Sequence, residues 1–167
     1  STIEVLSTLS PAFKKNGTVT AGNASPLSDG AAAVIITSSS MIKKYKLTPI
    51  AKIISYASVA LNPRWMGLGA YYAVKKCLLK SKLKISDIDL WEINEAFASQ
   101  TIAVLRLLKV DSEIVNVNGG AIALGHPIGA SGARILTTLL YELKRQSKQY
   151  GIASLCIGGG QGVAMLV

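Results

Sequence analysis

Asn116-Val-Asn-Gly-Gly-Ala-Ile-Ala-Leu-Gly-His-Pro-Ile-Gly-Ala-Ser-Gly-Ala-Arg134 sets the only histidine of the 167-residue chain, His126, inside a glycine-rich loop. Gly119, Gly120, Gly125, Gly129 and Gly132 are expected to take positive φ angles and bring the backbone close to a ligand, while Pro127 stiffens the turn. Beyond Gly129 the apolar residues Ile135, Leu136, Leu139, Leu140 and Leu143 recur at helical spacing. The loop therefore feeds the N-terminus of an amphipathic helix, where partial positive charge favours anions. A second glycine loop, Cys156-Ile-Gly-Gly-Gly-Gln-Gly162, follows the apolar run Ile152-Ala-Ser-Leu155. Taken singly, a loop histidine is usually structural and a cysteine is usually a small buried hydrophobe. Two glycine loops, each after a short apolar strand and each presenting one titratable group, are the arrangement of a site at the strand ends of an α/β sheet.

Outward from these loops the pattern alternates strands with helices. Ser1-Thr-Ile-Glu4 reads as a capping box opening a short helix, with Pro11 soon after it, and the turn-rich Asn23–Gly30 precedes a strand from Ala31 to Ser38. Ile50 to Ala60 reads as a long strand, Ile88 to Ile93 and Val115 to Val117 as short ones. Helices are expected over Gly69 to Leu83, Ala96 to Leu108 and Gly129 to Lys144. Ile152 to Ile157 and Val163 to Val167 form a closing hairpin. This order predicts an α/β fold, a mixed sheet covered by helices.

Half of the residues are hydrophobic (50%) and the mean hydropathy is +0.39, enough to bury a single-domain core and incompatible with a disordered chain. The longest apolar runs are strand-sized, so no membrane span is expected. Two cysteines in separate contexts suit a reducing, intracellular compartment, the cytoplasm ahead of a mitochondrion or peroxisome, rather than a disulfide scaffold. The net charge of +9 invites a nucleic-acid reading, with Lys75, Lys76, Lys80, Lys82 and Lys84 crowding one helix. No aromatic interleaving, zinc-ligand spacing or helix-turn-helix register accompanies these lysines, so they read as solvated faces. A basic surface does suit a phosphate-bearing ligand through long-range steering.

Asn94-Glu-Ala-Phe-Ala98, Gly119-Gly-Ala-Ile-Ala-Leu-Gly-His-Pro-Ile-Gly129 and Cys156-Ile-Gly-Gly-Gly160, in that order, resemble the signature blocks of the C-terminal half of thiolases. Gly17–Ser25 and Ser28–Ala33 extend the resemblance over essentially the whole chain. The resemblance implies a thiolase-like layered fold, with residues 1–38 ending an N-terminal domain and residues 39–167 forming the C-terminal one. It also implies a C-terminal fragment, because thiolases carry their acylated cysteine upstream in a Cys-Gly-Ser-Gly-like block absent from this sequence. The other cysteine, Cys77, lies in a helical pattern with Val74, Leu78 and Leu79 and reads as a packing residue. An apolar face left by a missing half is expected to drive association.

The same resemblance implies an acyltransferase that condenses two acetyl-CoA molecules to acetoacetyl-CoA and CoA, and runs the reverse thiolysis. A coenzyme A thioester is the substrate, with no metal and no further cofactor, and the whole enzyme is expected to be a homodimer or homotetramer. His126 would activate the upstream cysteine and donate to the thioester oxygen as the enolate forms, Asn94 would hold a water of that oxyanion hole, and Gly158 N–H would serve a second. Cys156 would be the α-proton base, its pKa lowered toward neutrality by a polar site. Ser25, Met66, Ala96 and Phe97 would bind the acyl and pantetheine portions, although Ser25 reads equally as a turn residue before Pro26 and the apolar pair equally as core. Glu95 reads as a loop-fixing group before a catalytic acid. Two other functions fit the same residues: a longer-chain 3-ketoacyl-CoA thiolase of β-oxidation, and a noncatalytic module for dimerisation or coenzyme A binding.

Overall fold

The apolar runs of the second half fold into one mixed sheet. In the computed structural model, which describes residues 1–167, strands β1 (Ser55–Ala60), β2 (Leu90–Ile93), β3 (Gly151–Ile157) and β4 (Gln161–Leu166) lie in the order β1-β4-β3-β2. β3 runs parallel to β2 and antiparallel to β4, and β1 is antiparallel to β4. A parallel bridge between Trp91 and Val115 extends the sheet beyond β2.

Side chains alternate across the strands, so β2, β3 and β4 each feed two cores, while edge strand β1 feeds one. Trp91, Ile93, Ile152, Ala164 and Leu166 meet helices α3 (Gly69–Ser81) and α4 (Ala98–Leu108) through Ala70, Ala73, Val74, Cys77, Val104 and Leu108. Leu90, Ala153 and Val167 meet Ile135, Leu139 and Leu143 of α6 (Ser131–Gln146). The result is three layers, and the helical spacing in the α6 sequence is what buries that helix along one stripe. Cys77 is fully buried, a packing residue as expected. No helix is long and apolar enough to cross a membrane.

Edge strand β1 explains part of the charge. Lys76 Nζ donates to the Ser58 carbonyl at 3.0 Å, and Lys80 Nζ to that of Tyr56 at 2.6 Å while lying 4.8 Å over the Tyr56 ring. Those carbonyls belong to an edge, where lysine discourages pairing with another chain. On this face the lysines therefore do more than solvate a helix.

Several expected elements differ. Ala31–Ser38 is not a strand: it runs outside any ladder, with Ile35 97% exposed, because no neighbouring strand offers its backbone partners. The long strand begins only at Ser55, and Val115–Val117 contributes one bridge. Helix α1 (Ile3–Ser7) is capped by Thr2, whose hydroxyl accepts from Val5 N–H, so Ser1 and Glu4 do not form a capping box. Two short helices, α2 (Ser39–Tyr45) and α5 (Ala121–Leu124), lack the periodicity that would mark them in sequence.

Two features of this framework give predictions. The first turn of α3 lies directly on β4: a Cβ on Gly162 would collide with the backbone of Gly69, and one on Gly69 with the Gln161 carbonyl. Neither backbone can give way as a flexible side chain does. Gly162→Ala is expected to cost about 3 kcal/mol, the upper range for overpacking, measured by denaturant unfolding. The second concerns Glu92 of β2, which faces α6 with 2% exposure and lies 3.6 Å from the Arg134 guanidinium. Burial raises its pKa from 4.5 to about 7, more than Arg134 lowers it, with Glu95 and Glu142 adding to the rise. Between these values the native state keeps a proton that the unfolded chain has released. Stability is fully present below pH 4.5 and is lost as pH rises through 7. Glu92→Gln should remove about 3 kcal/mol of that decline, read from unfolding free energies between pH 4.5 and 8.

Candidate active site

Asn94 leaves the end of β2 with its N–H donating to the Ser154 carbonyl at 2.9 Å, which carries the β2–β3 pairing one residue beyond the strand. Because the two strands are parallel, their C-terminal ends lie side by side. Asn94 therefore stands next to the strand that carries Cys156 two residues past Ser154. Beyond Ile157 the chain turns through Gly158, Gly159 and Gly160; Gly159 and Gly160 have positive φ, and Gly158 faces open space.

His126 reaches the same end from another element. Helix α5 stops at Gly125, whose φ of +102° and close approach to Ser28 admit only glycine without strain. The next residue puts its imidazole between two partners: Nε2 lies 3.3 Å from Asn94 Nδ2, and Nδ1 lies 2.6 Å from Ser131 Oγ. Ser131 Oγ in turn donates to the Pro127 carbonyl at 3.0 Å. Burial, then the Arg134 charge, hold the imidazole below its ordinary pKa, so it is neutral at pH 7. Neutrality leaves one ring nitrogen as an acceptor. Of the five glycines read as positive-φ hinges, only Gly119 and Gly125 are so; Gly120 is required for space, since a Cβ there would collide with the Glu95 carboxylate.

Cys156 departs from expectation. It is partly buried, its side chain bonds to no other residue, and its thiol is pushed up rather than down, because burial outweighs the hydrogen bond from its own backbone that lowers it. No hydrogen bond joins it to His126.

Glu95 fixes loops. Its carboxylate accepts from Asn116 Nδ2 at 3.2 Å and from Ile122 N–H at 3.3 Å. Asn116 also accepts from Ile93 N–H and donates to Ile93 O, both at 2.8 Å, so its amide pairs with the strand end as a neighbouring strand would. Further along, Asn118 Nδ2 donates to Glu142 Oε2 at 3.0 Å, and Glu142 is held ionised, with a pKa of about 2, chiefly by its hydrogen bond from Arg145 and then by those from Asn118 and Gln146. Asn116, Ser131 and Glu142 were not singled out in the sequence. Asn116 and Ser131 leave only a polar residue at a glycine block as their signal there, and Glu142 only an acidic residue within a helix.

The N-terminal segment binds both loops together. Ser25 donates to the Ala96 carbonyl through its N–H at 3.1 Å and its hydroxyl at 3.0 Å, Ala98 N–H donates to Asn23 O, and His126 N–H to Pro26 O. Ser25 thus spends its hydroxyl on the Ala96 loop. Phe97 packs edge-to-face on Phe13 with ring centres 6.0 Å apart. Met66 is half-buried in a 3-10 segment, Pro63–Leu68, where the neighbouring Gly67 presses on Gln100 of α4. A shallow cleft of about 370 Å³ opens between Ser28–Ala32 and Pro127–Ala130, directly beside the histidine loop.

Comparison with known proteins places this geometry. The sequence matches the pattern of the thiolase C-terminal domain over residues 47–167 and that of the thiolase N-terminal domain over residues 1–40. It is 58% identical, over its entire length, to acetyl-CoA acetyltransferase of Escherichia coli (strain K12), and 52% identical over 166 residues to human mitochondrial 3-ketoacyl-CoA thiolase. It covers 42% of each of these proteins, so the chain spans about two fifths of their length. The crystal structure of the human mitochondrial 3-ketoacyl-CoA thiolase in complex with CoA superposes on 99% of the chain with a TM-score of 0.98, and the Bacillus anthracis acetyl-CoA acetyltransferase with 0.97 at 50% identity; the chain covers 42% of each. The sheet and helices built above are those of such a domain, and the chain belongs to the thiolase family.

Proposed function

We propose that this chain supplies the His126, Asn94 and Cys156 part of a site that condenses two acetyl-CoA molecules to acetoacetyl-CoA and CoA, and reverses that reaction. The observation that carries the proposal is the Asn94–His126–Ser131 hydrogen-bonded line at the sheet end, with Cys156 on the adjacent strand. His126 Nε2 takes the proton of a cysteine thiol lying outside these 167 residues. The thiolate attacks acetyl-CoA, the acetyl C–S bond to coenzyme A breaks, and the departing thiolate takes the proton back from the His126 imidazolium. Cys156, once its own proton has gone to solvent, takes an α-proton from a second acetyl-CoA. The enolate carbon attacks the acyl-cysteine carbonyl, forming the carbon–carbon bond as the cysteine leaves, while Gly158 N–H stabilises the alkoxide.

The raised Cys156 pKa shapes this role. A buried thiol is protonated at rest, and once ionised it is a stronger base than an ordinary thiolate. The proton-abstraction step should therefore accelerate with pH past the ordinary thiol range, a profile readable from exchange of acetyl-CoA methyl protons with deuterated water.

A longer-chain 3-ketoacyl-CoA substrate is the second reading, favoured by the likeness to the human mitochondrial enzyme. The ratio of kcat/KM for acetoacetyl-CoA and for a sixteen-carbon analogue separates the two. The exposed apolar residues Val34, Ile35, Ile36 and Leu124 should drive association of the 167-residue chain unless the rest of a subunit covers them.

The test joins this chain to the upstream part of the Escherichia coli relative. The joined subunit should cleave acetoacetyl-CoA, and the 167-residue chain alone should not, because a covalent mechanism needs the second cysteine and Cys77 is buried. Cys156→Ser should still take radiolabelled acetyl from acetyl-CoA while condensation falls about 10²- to 10⁴-fold. His126→Asn should impair both steps. Normal proton exchange in Cys156→Ser, or acetylation lost there but kept in His126→Asn, overturns the assignment.

A further inference from the structure

Ser131 lies in the first turn of α6 with 1% exposure, and helix capping does not explain its burial. The cap position is Ala130, which makes no side-chain cap bond, and the Ser131 hydroxyl points back to the carbonyl four residues earlier rather than forward to an orphan N–H. That carbonyl, Pro127 O, already accepts from the N–H groups of Ala130 and Ser131 at 2.8 Å each. The hydroxyl is therefore not needed to satisfy it. What no other group in the chain supplies is a partner for His126 Nδ1, at 2.6 Å.

Two proton arrangements fit these heavy atoms. In the first, His126 Nδ1–H donates to Ser131 Oγ, Ser131 O–H donates to Pro127 O, and the Nε2 lone pair faces the Asn94 amide N–H at 3.3 Å. Each of these donors has an acceptor, and Asn94 is left with its second Nδ2–H and its Oδ1 without partners. In the second, Ser131 O–H donates to Nδ1 and the proton sits on Nε2. The Asn94 amide must then turn so that its oxygen accepts from Nε2–H, which moves the NH₂ group to where the oxygen now finds no partner. Both N–H groups of that amide would then be unmet, against one N–H and the carbonyl oxygen in the first arrangement. Orphaned donors are the rarer and costlier defect in a folded protein.

We infer that Ser131 is a positioning residue that fixes His126 as the Nδ1–H tautomer and keeps its Nε2 lone pair directed to the reacting side of the loop. The inference rests on the proposed reaction only for its use, since the proton taken from the nucleophilic thiol must enter at Nε2; the tautomer itself is a property of the resting protein. Ser131 touches no reacting atom. It acts through the imidazole, as outer partners of a functional histidine fix its tautomer and ring orientation.

The experiment is a two-bond ¹⁵N–¹H correlation spectrum of the 167-residue chain, in which His126 is the sole histidine and its two ring nitrogens are read without ambiguity. Taken at pH 8, where the imidazole is neutral, the wild-type spectrum should show a protonated Nδ1 and an unprotonated Nε2. Ser131→Thr, which keeps the hydroxyl, should preserve this pattern. Ser131→Ala should move the tautomer ratio toward Nε2–H by about tenfold, the equilibrium equivalent of one hydrogen bond. A purely structural serine would leave the ratio unchanged while lowering stability. A wild-type spectrum with the proton on Nε2, or an unaltered ratio in a folded Ser131→Ala protein, overturns the inference. The wild-type spectrum decides the tautomer even where the alanine variant fails to fold. Failure here leaves the acetylation and exchange results for Cys156 and His126 standing, and failure there leaves the tautomer standing.

Discussion

The parallel register of β2 on β3 is the constraint on which the site depends. Ile93 pairs with Ser154, and the hydrogen bond from Asn94 N–H to Ser154 O carries that register one step past the strand. A slip of one residue would reverse every side chain. It would take Trp91 and Ile93 out of the α3 core, put Glu92 there in their place, and move Asn94 away from the imidazole. The hydrophobic alternation that builds the two cores therefore also sets the position of a polar group at their edge. Packing and chemistry are held by the same ladder.

A strand end that carries function has its own difficulty, because the backbone beyond Ile93 has lost a neighbour on one side. Asn116 resolves it by offering both faces of its amide to Ile93, at the site where a further strand would pair, and it takes a positive φ of 49° to do so. Asparagine is among the few residues that tolerate that conformation. Glu95 then joins Asn116 to the start of α5, and Asn118 reaches the ionised Glu142 on α6. Three loops from distant parts of the sequence are thus held by side-chain amides and carboxylates rather than by regular structure, while the residues around Ser25 close the fourth side.

This division explains what was legible in the sequence. Elements whose formation depends on periodic burial were readable within two residues or so: α3, α4, α6 and the β3–β4 hairpin bury the stripes their sequences display. His126 and Cys156 were legible because glycine blocks mark them, and Asn94 only through the Asn94-Glu-Ala-Phe97 block that carries the family resemblance. Ala31–Ser38 misled for a physical reason, since an apolar β-branched run states a preference for pairing but not the presence of a partner. Ser131 and Asn116 were illegible for the converse reason. Their roles arise from contacts made across the fold or around a turn, and a serine or asparagine beside a glycine loop looks the same whether it meets solvent or an imidazole.

The two titratable groups of the site are moved by burial in opposite senses of charge but to the same end. The imidazole loses affinity for its proton and the thiol gains it, so both are neutral in the resting protein. A site without a fixed charge of its own at these positions does not have to expel an ion's hydration shell before a thioester enters. Arg134, 3.6 Å from Glu92, depresses the histidine pKa without a hydrogen bond to the ring. Charge then develops only as protons move: onto Nε2 as a thiol ionises, onto the Cys156 sulfur as that thiol gives up its own proton, and from there to the enolate oxygen as the thiolate takes an α-proton. The framework around them, with Asn94, the Gly158 turn and the start of α6, is in place before that charge appears, which is the condition under which oriented dipoles stabilise a transition state without reorganising.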